Sequence, residues 1–518
     1  MRQSIRKPLL QATLLFFFLA FALLPGALAE TVSLTILHTN DTHSHLLPFS
    51  YPAPAGKAKP ETLAARTNIG GIARRATLIR NLRTELKAQG TAVWVMDAGD
   101  FSDGTPFSIE YKGKADAEAM NAAGYTLGTL GNHEFNYTRS QLEKLVKFFK
   151  YPIIAANVAD ATTGKPLVGE YKILEVGPVK VGVFGLVTYS ARGYPATREG
   201  IKISGEITAA RRMMQTLAKE KADIVILLSH CGVEKDAEIA EKVPGIAAIV
   251  GGHSHSRLPL GRVVAPVPSG RDKAKTKAAA NEATGGTVLV QAYQWGGELG
   301  RLDLAFEKDA TGAWGVARHK ASLIPVTADI PEDPGVAAIV ERYWKPIAGK
   351  YGKVAGKATA DFVDRGSDMP SYNLMTDALR ETYKTDIALE NIGGVRAHLL
   401  KGDITADALA ALDPFDNTVV TFRIRGDRLR KILQSNAPPA VSGMKYQVEK
   451  GRLVSATVGG KPLEDDKYYT GVTNSYYAPI ILKGLATEDT GRQRLEVLTE
   501  YIRRKGTISP AYDSRRVV

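Results

Sequence analysis

Between Glu30 and about Leu323, short apolar runs rich in β-branched residues alternate with longer amphipathic ones. The short runs are SLTILHTND, AVWVMDAGD, YTLGTLGNHE, PIIAANV, KVGVFGLVT, DIVILLSHCG, IAAIVGGHSH and TVLVQAY. Most are apolar through most of their length and run into polar or glycine residues, as expected of strands covered on both faces. Between them, IARRATLIRNLRTELKAQ and ITAARRMMQTLAKEKA place apolar residues at three- and four-residue steps, the period of an amphipathic helix. The pattern predicts a layered α/β domain over residues 30–325. PEDPGVAAIVERYWKPIAGKYG, Pro331 to Gly352, is proline-bounded and helical in period, so residues 326–352 read as a linker helix. A smaller α/β region follows over 353–518, with a helix around Tyr372 to Lys384 and strands such as TVVTFRIRG. There is no internal repeat.

The first 29 residues depart from this pattern. A short basic stretch, MRQSIRK, precedes the apolar LLQATLLFFFLAFALLPG, and Ala27-Leu28-Ala29 has the small-x-small form of a cleavage site. Residues 1–29 are therefore expected to be a signal peptide cut before Glu30, leaving no stable membrane anchor and a periplasmic or secreted protein. A single cysteine, Cys231, excludes an intramolecular disulfide framework despite the exported address. The formal charge of +13 falls to +10 without Arg2, Arg6 and Lys7. Part of the excess sits in the polar stretch Ser269 to Gly286, which reads as a surface loop. No basic run is interleaved with aromatics, so the charge does not point to nucleic acid; it would favour an anionic small substrate.

The chemistry is concentrated where the strands stop. Strand ends finish in Asp41-x-His43, Asp100, Asn132 with His133, His230, and His253-x-His255. Strands lying side by side can aim such ends rigidly at one point. Imidazoles and carboxylates suit divalent Zn, Mn, Co or Fe, and a two-metal site needs a bridging carboxylate with several terminal ligands. Singly, each residue has an ordinary structural explanation, a turn aspartate or a core histidine; their repeated placement at strand ends argues for a dinuclear centre. Asp97 and Asp103 read as turn or supporting groups, and His38 and His45 as non-ligands.

In that order, HTNDTHSH, MDAGDFSDGTPF, GNHEF, SHCG and GGHSH resemble the calcineurin-type metallophosphoesterase domain of the secreted 5′-nucleotidase family, which includes UDP-sugar hydrolases and cyclic-nucleotide phosphodiesterases. NIGGVR and DPFDNT extend the resemblance through the C-terminal region. It implies a four-layer αββα catalytic domain, a linker helix and a smaller C-terminal α/β substrate domain. It also implies two divalent metal ions, one on Asp41, His43 and His255 and the other on Asn132, His230 and His253, bridged by Asp100. His133 matches the family's catalytic histidine. Many relatives continue the motif to an aspartate that hydrogen-bonds this histidine, where the present chain has Asn136. An amide can orient the ring but brings no charge, so reduced charging of His133 with retained activity is expected.

For the substrate, the resemblance assigns Arg365 and Arg396 to oxyanion contacts, Asn391 and Asn417 to the nucleoside, and Phe415 to one of two aromatics flanking a base. Relatives often place the second aromatic before a GGDG-like turn. Here TNSYYAPIILKG, Thr473 to Gly484, offers Tyr476 or Tyr477 but lacks the turn. The expected activity is hydrolysis of nucleotides, foremost 5′-nucleotides, to nucleoside and phosphate. Alternatives are a UDP-sugar or cyclic-nucleotide phosphodiesterase, a non-nucleotide phosphomonoesterase, or a nucleotide-binding protein without turnover.

Overall fold

A computed structural model describes residues 31–51, 66–265 and 286–518. The signal-peptide expectation and nearly all of the Ser269–Gly286 loop lie outside the described residues. The first sheet has six strands in the order Trp314–Pro325, Glu298–Lys308, Val32–Thr39, Ala92–Asp97, Leu127–Thr129 and Ile153–Ile154. The second, also six-stranded, runs Arg262–Val264, Thr287–Val290, Ala248–Gly251, Ile224–His230, Val179–Val187 and Tyr171–Val176.

Side-chain alternation explains how the sheets stack. Leu34, Ile36 and Met96 of the first sheet share one apolar cluster with Ile226, Leu228 and Val250 of the second, so those faces meet each other. The opposite face of the first sheet, through Leu37 and Val95, packs on helix residues Ile72, Ile79 and Met120. Val225 and Leu227 turn outward from the second sheet onto Met213, Leu217 and Ile239. The result is four layers, helix, sheet, sheet, helix, in which each apolar strand is covered on both sides.

Within each sheet the strands that carry the polar ends are parallel. Val32–Thr39 pairs with Ala92–Asp97, that strand with Leu127–Thr129, and Ile224–His230 with Ala248–Gly251. Their carboxyl ends therefore open on one edge, where α/β sheets place ligand sites. The long antiparallel hairpin of Glu298–Lys308 and Trp314–Pro325 is the part that the strand pattern predicts least, because its outer strand is only partly buried.

Helix Pro334–Tyr351 starts from Asp333, whose side chain accepts from the backbone of Gly335 and Val336, with Pro334 in the first turn. Ile347 and Tyr351 pack with Ala410 of the C-terminal region, and Tyr111 donates to the Tyr343 carbonyl at 2.7 Å, so the helix is bonded to both halves. The C-terminal region is built on a five-stranded sheet with Tyr468–Asn474 near its centre, flanked by helices Pro370–Tyr383 and Arg494–Lys505. Its core is separate from that of the catalytic layers.

Candidate metal centre and substrate face

The strand-end loops are folded in ways that ordinary loops avoid. Asp41, His43, Asp100, His253 and His255 all have left-handed backbone, with φ between 46° and 76°. Non-glycine residues adopt it sparingly, and strained backbone of this kind clusters at functional sites. Two glycines let the loops close. A Cβ on Gly131 would stand 2.0 Å from Asp100 Oδ1, and one on Gly252 would stand 2.8 Å from the Ala98 carbonyl and 2.9 Å from His230 Nδ1.

The loops bring two ligand groups together. Asp41, His43 and His255 form one, and Asp100, His230 and His253 the other, with ligand atoms inside each group within 4.8 Å of one another. Asp100 Oδ2 lies 3.1 Å from His230 Nε2 and 3.9 Å from His43 Nε2, so a single carboxylate oxygen faces both groups. His43 Nδ1 is engaged by the Asp103 carbonyl at 2.9 Å, and His230 Nδ1 by the Ala98 carbonyl at 2.6 Å. Both rings thereby turn Nε2 inward, the arrangement by which carbonyls orient metal-binding imidazoles.

The residues fit the ions that the family implies. Among the described residues Asn132 Oδ1 is buried without a hydrogen-bond partner, and buried His230 Nε2 faces the Asp100 carboxylate at 3.1 Å; both are donor atoms of metal-ligand type. Burial, with help from the neighbouring His230, holds His253 near a pKa of about 4, and burial with Arg396 holds His43 well below the usual histidine range. Neutral imidazole is the ligating form. Against the same burial, Asp100 and then Asp41 raise His230 to about 10, so the carboxylates there call for a positive charge.

His133 is buried beside this set, with Nε2 3.9 Å from Asp100 Oδ2. A carboxylate does reach its other nitrogen, from Asp103: Oδ2 lies 2.7 Å from Nδ1. Asn136 donates its amide to that same oxygen and lies 2.9 Å from Nδ1. The expectation of a ring backed only by an amide is thus corrected; the partner comes from the Asp100 loop.

The same geometry brings in residues that strand-end patterning omits. Glu134 Oε2 accepts from the backbone of Asp100 at 3.0 Å and Gly131 at 2.6 Å, and its Oε1 accepts from Ser102 N at 3.1 Å. One buried carboxyl thus fastens the two loops that hold Asp100, Asn132 and His133. Its sequence signal is an acidic residue inside the otherwise buried GNHEF. Tyr194 accepts from Asn132 Nδ2 at 2.8 Å and stands edge-on to His133 at 5.9 Å.

From the C-terminal region, Arg396 extends Nη2 to 2.9 Å from His43 Nε2, and the Phe415 ring stacks over His133 at 6.1 Å. Tyr476 is the exposed member of its pair, whereas Tyr477 is buried. Burial, and next Tyr476, push the Tyr194 phenol upward. Asn391 lies beside Asn474, and the Asn417 carbonyl accepts from Arg494 at 2.9 Å. Arg365 is exposed and lies over the Tyr512 ring at 4.0 Å.

A buried network holds these substrate-side segments. Arg494, with no exposed side-chain surface, pairs with Asp413, lies 2.7 Å from Glu390 Oε1 and donates to the Gly394 carbonyl at 2.8 Å. Asn474 Nδ2 donates to Glu390 at 2.6 Å, while its Oδ1 accepts from Tyr477 N at 2.8 Å. The turns bearing Asn391 and Arg396, Phe415, and Tyr476 are therefore tied to one guanidinium.

A four-layer αββα domain with paired carboxylate–imidazole clusters, facing a second α/β domain, defines a metallophosphoesterase of two-domain type. Residues 34–257 match the calcineurin-like phosphoesterase family and residues 352–479 the 5′-nucleotidase C-terminal domain. The human 5′-nucleotidase is 30% identical, covering 93% of this chain and 90% of the relative. A 5′-nucleotidase of Vibrio cholerae is 28% identical, covering 91% and 90%. Among solved structures, a 5′-nucleotidase precursor of Thermus thermophilus superposes with a TM-score of 0.81 at 27% identity, over 93% of this chain and 98% of that one. A sulfate thiohydrolase of Thermus thermophilus shares the fold, with a TM-score of 0.78 at 22% identity over 93% and 96%. The chain belongs to the 5′-nucleotidase family, and is a metal-dependent phosphoric ester hydrolase.

Proposed function

We propose that this protein is an exported dinuclear-metal phosphohydrolase that releases phosphate from 5′-nucleotides. The observation that carries this reading is the meeting, at one edge, of two ligand groups, His133, and Arg396 with Phe415 from the other domain. Asp41, His43 and His255 would hold one ion, and Asn132, His230 and His253 the other, with Asp100 shared. Two such ions neutralise phosphate oxygens and lower the pKa of a bound water. His133 presents Nε2 toward the space beside Asp100, where it can donate to the phosphoryl group or the leaving oxygen. Arg396 is a guanidinium at the same place, suited to the phosphate oxygens, and Phe415 offers a ring face to a base. Export is supported by the basic-then-apolar sequence ending in Ala27-Leu28-Ala29. Among the described residues no helix is long and apolar enough to cross a membrane.

The Tyr476 segment motivates a second reading, in which the same machinery cleaves a UDP-sugar, a cyclic nucleotide or a non-nucleotide monoester. After Tyr477 the chain enters the short helix Ala478–Ile481 in place of a glycine-rich turn. A panel of 5′-AMP, UDP-glucose, cyclic AMP and an aryl phosphate separates the two. The highest kcat/KM is expected on 5′-AMP; turnover of the aryl phosphate with none of 5′-AMP overturns the nucleotidase reading.

A further inference from the structure

The loop after strand Ala92–Asp97 reaches the metal centre twice, through Asp100 and again three residues later through Asp103. Asp103 is almost wholly buried and has left-handed backbone at φ 72°. Aspartate is among the few non-glycine residues that tolerate this backbone, and here the conformation brings both its carbonyl and its carboxylate to the centre. Its carbonyl engages His43 Nδ1, and its carboxylate Oδ2 meets His133 Nδ1 at 2.7 Å. Asn136 donates to the same oxygen. An amide in that place must point its NH2 at the carboxylate, since its oxygen would otherwise face another oxygen.

We infer that Asp103 is the positioning residue of His133, and that Asp103 and Asn136 together place a single carboxylate behind the ring. Asp103 accepts the Nδ1 proton and so turns the opposite nitrogen, Nε2, toward the reacting phosphate, where donation to an oxygen is by the ring that carries a proton on both nitrogens. Asn136 secures that carboxylate and does not replace it. The two side chains converge on one ring nitrogen, at 2.7 and 2.9 Å, so either position can supply the carboxylate provided the other supplies the amide. A carboxylate at both would crowd two negative charges against one imidazole. The rate consequences rest on the hydrolase reading above; the geometry of the ring does not.

The test is a transposition. Wild type, Asp103→Asn, Asn136→Asp and the double variant are compared for kcat, KM, bound metal and melting temperature. Zinc-loaded, histidine-15N-labelled samples at pH 9 report which nitrogen of His133 carries the proton. Asp103→Asn should lower kcat on the order of 100-fold, the scale of one positioned acid–base group, with KM and metal content held within about twofold. Asn136→Asp alone should also lower kcat. The double variant should recover at least about tenfold of the loss and regain the Nδ1–H spectrum of the wild type, which Asp103→Asn loses. Wild-type kcat and an unchanged spectrum in Asp103→Asn would overturn the inference. So would a double variant no better than Asp103→Asn, or metal loss in Asp103→Asn, which would make the residue a support of the His43 loop. A wild type inert on every ester sinks the hydrolase reading instead, and the spectra then decide the role of Asp103 alone.

Discussion

Replacing Arg494 with methionine tests whether the substrate face is assembled by one buried cation. The side chain has no exposed surface and serves Asp413, Glu390 and the Gly394 carbonyl together. Methionine keeps much of the bulk and removes every donor. Two fully buried carboxyl groups would then lose their shared counter-charge and a buried carbonyl its donor. Removing one partner of a buried ion pair costs about 3–5 kcal/mol, and the extra carboxylate puts the expectation at the upper end of that range. For a domain of this size about 2–4 °C of melting temperature is lost per kcal/mol, so a drop of roughly 10 °C or more is expected. The structure also specifies where the damage falls. Gly394 precedes Arg396 by two residues, Asp413 precedes Phe415 by two, and Glu390 is bonded to the Asn474 that orients Tyr477. Thermal unfolding should therefore show the C-terminal domain melting first, while at permissive temperature KM for a nucleotide rises more than kcat falls and metal content stays at wild type. A shift below about 2 °C with unchanged KM would refute the reasoning.

Asp100→Ala removes the carboxylate that faces both ligand groups, and should abolish turnover and bring bound metal toward zero by elemental analysis; retention of two ions would contradict its bridging role. Arg396→Ala should raise KM by roughly tenfold or more for a phosphate ester while leaving the melting temperature near wild type, because the guanidinium reaches the centre from a half-buried turn. Asp116 is buried, and that burial raises its pKa to about 8, eased by the Ser44 hydroxyl at 3.0 Å. Its folded pKa lies above the unfolded value, so the folded state binds the extra proton and stability falls as pH rises from about 4 to about 8. Asp116→Asn should accordingly flatten that decline, with the gain in melting temperature larger at pH 8 than at pH 5; an equal gain at both pH values would show that Asp116 is ionised in the fold.

The layered fold and its ligand ends are legible in the sequence for one physical reason. Parallel strands buried on both faces write continuous apolar runs, and the residues just beyond them must face one sheet edge. SLTILHTND, AVWVMDAGD and DIVILLSHCG therefore announce both a strand and the chemistry at its end. The hairpin Glu298–Lys308 with Trp314–Pro325 is harder to read because its outer strand is half-solvated and its polar residues blur the run. Asp103 and Glu134 are harder still. Their roles depend on two loops meeting across about thirty positions of chain, and nothing local distinguishes a carboxyl that caps a turn from one that grips an imidazole. Arg494 is legible only in three dimensions, since its partners lie 81 and 100 residues away in the chain.

The central claim is that two ions held by these strand ends drive release of phosphate from a nucleotide. Chelated protein titrated with Mn, Zn or Co, with phosphate release from 5′-AMP followed against bound metal per chain, addresses it most directly. The account predicts no release without metal, and activity rising to a plateau at two ions per chain. Phosphate release that survives chelation, or a fully loaded protein that leaves 5′-AMP and every other ester intact, would contradict it.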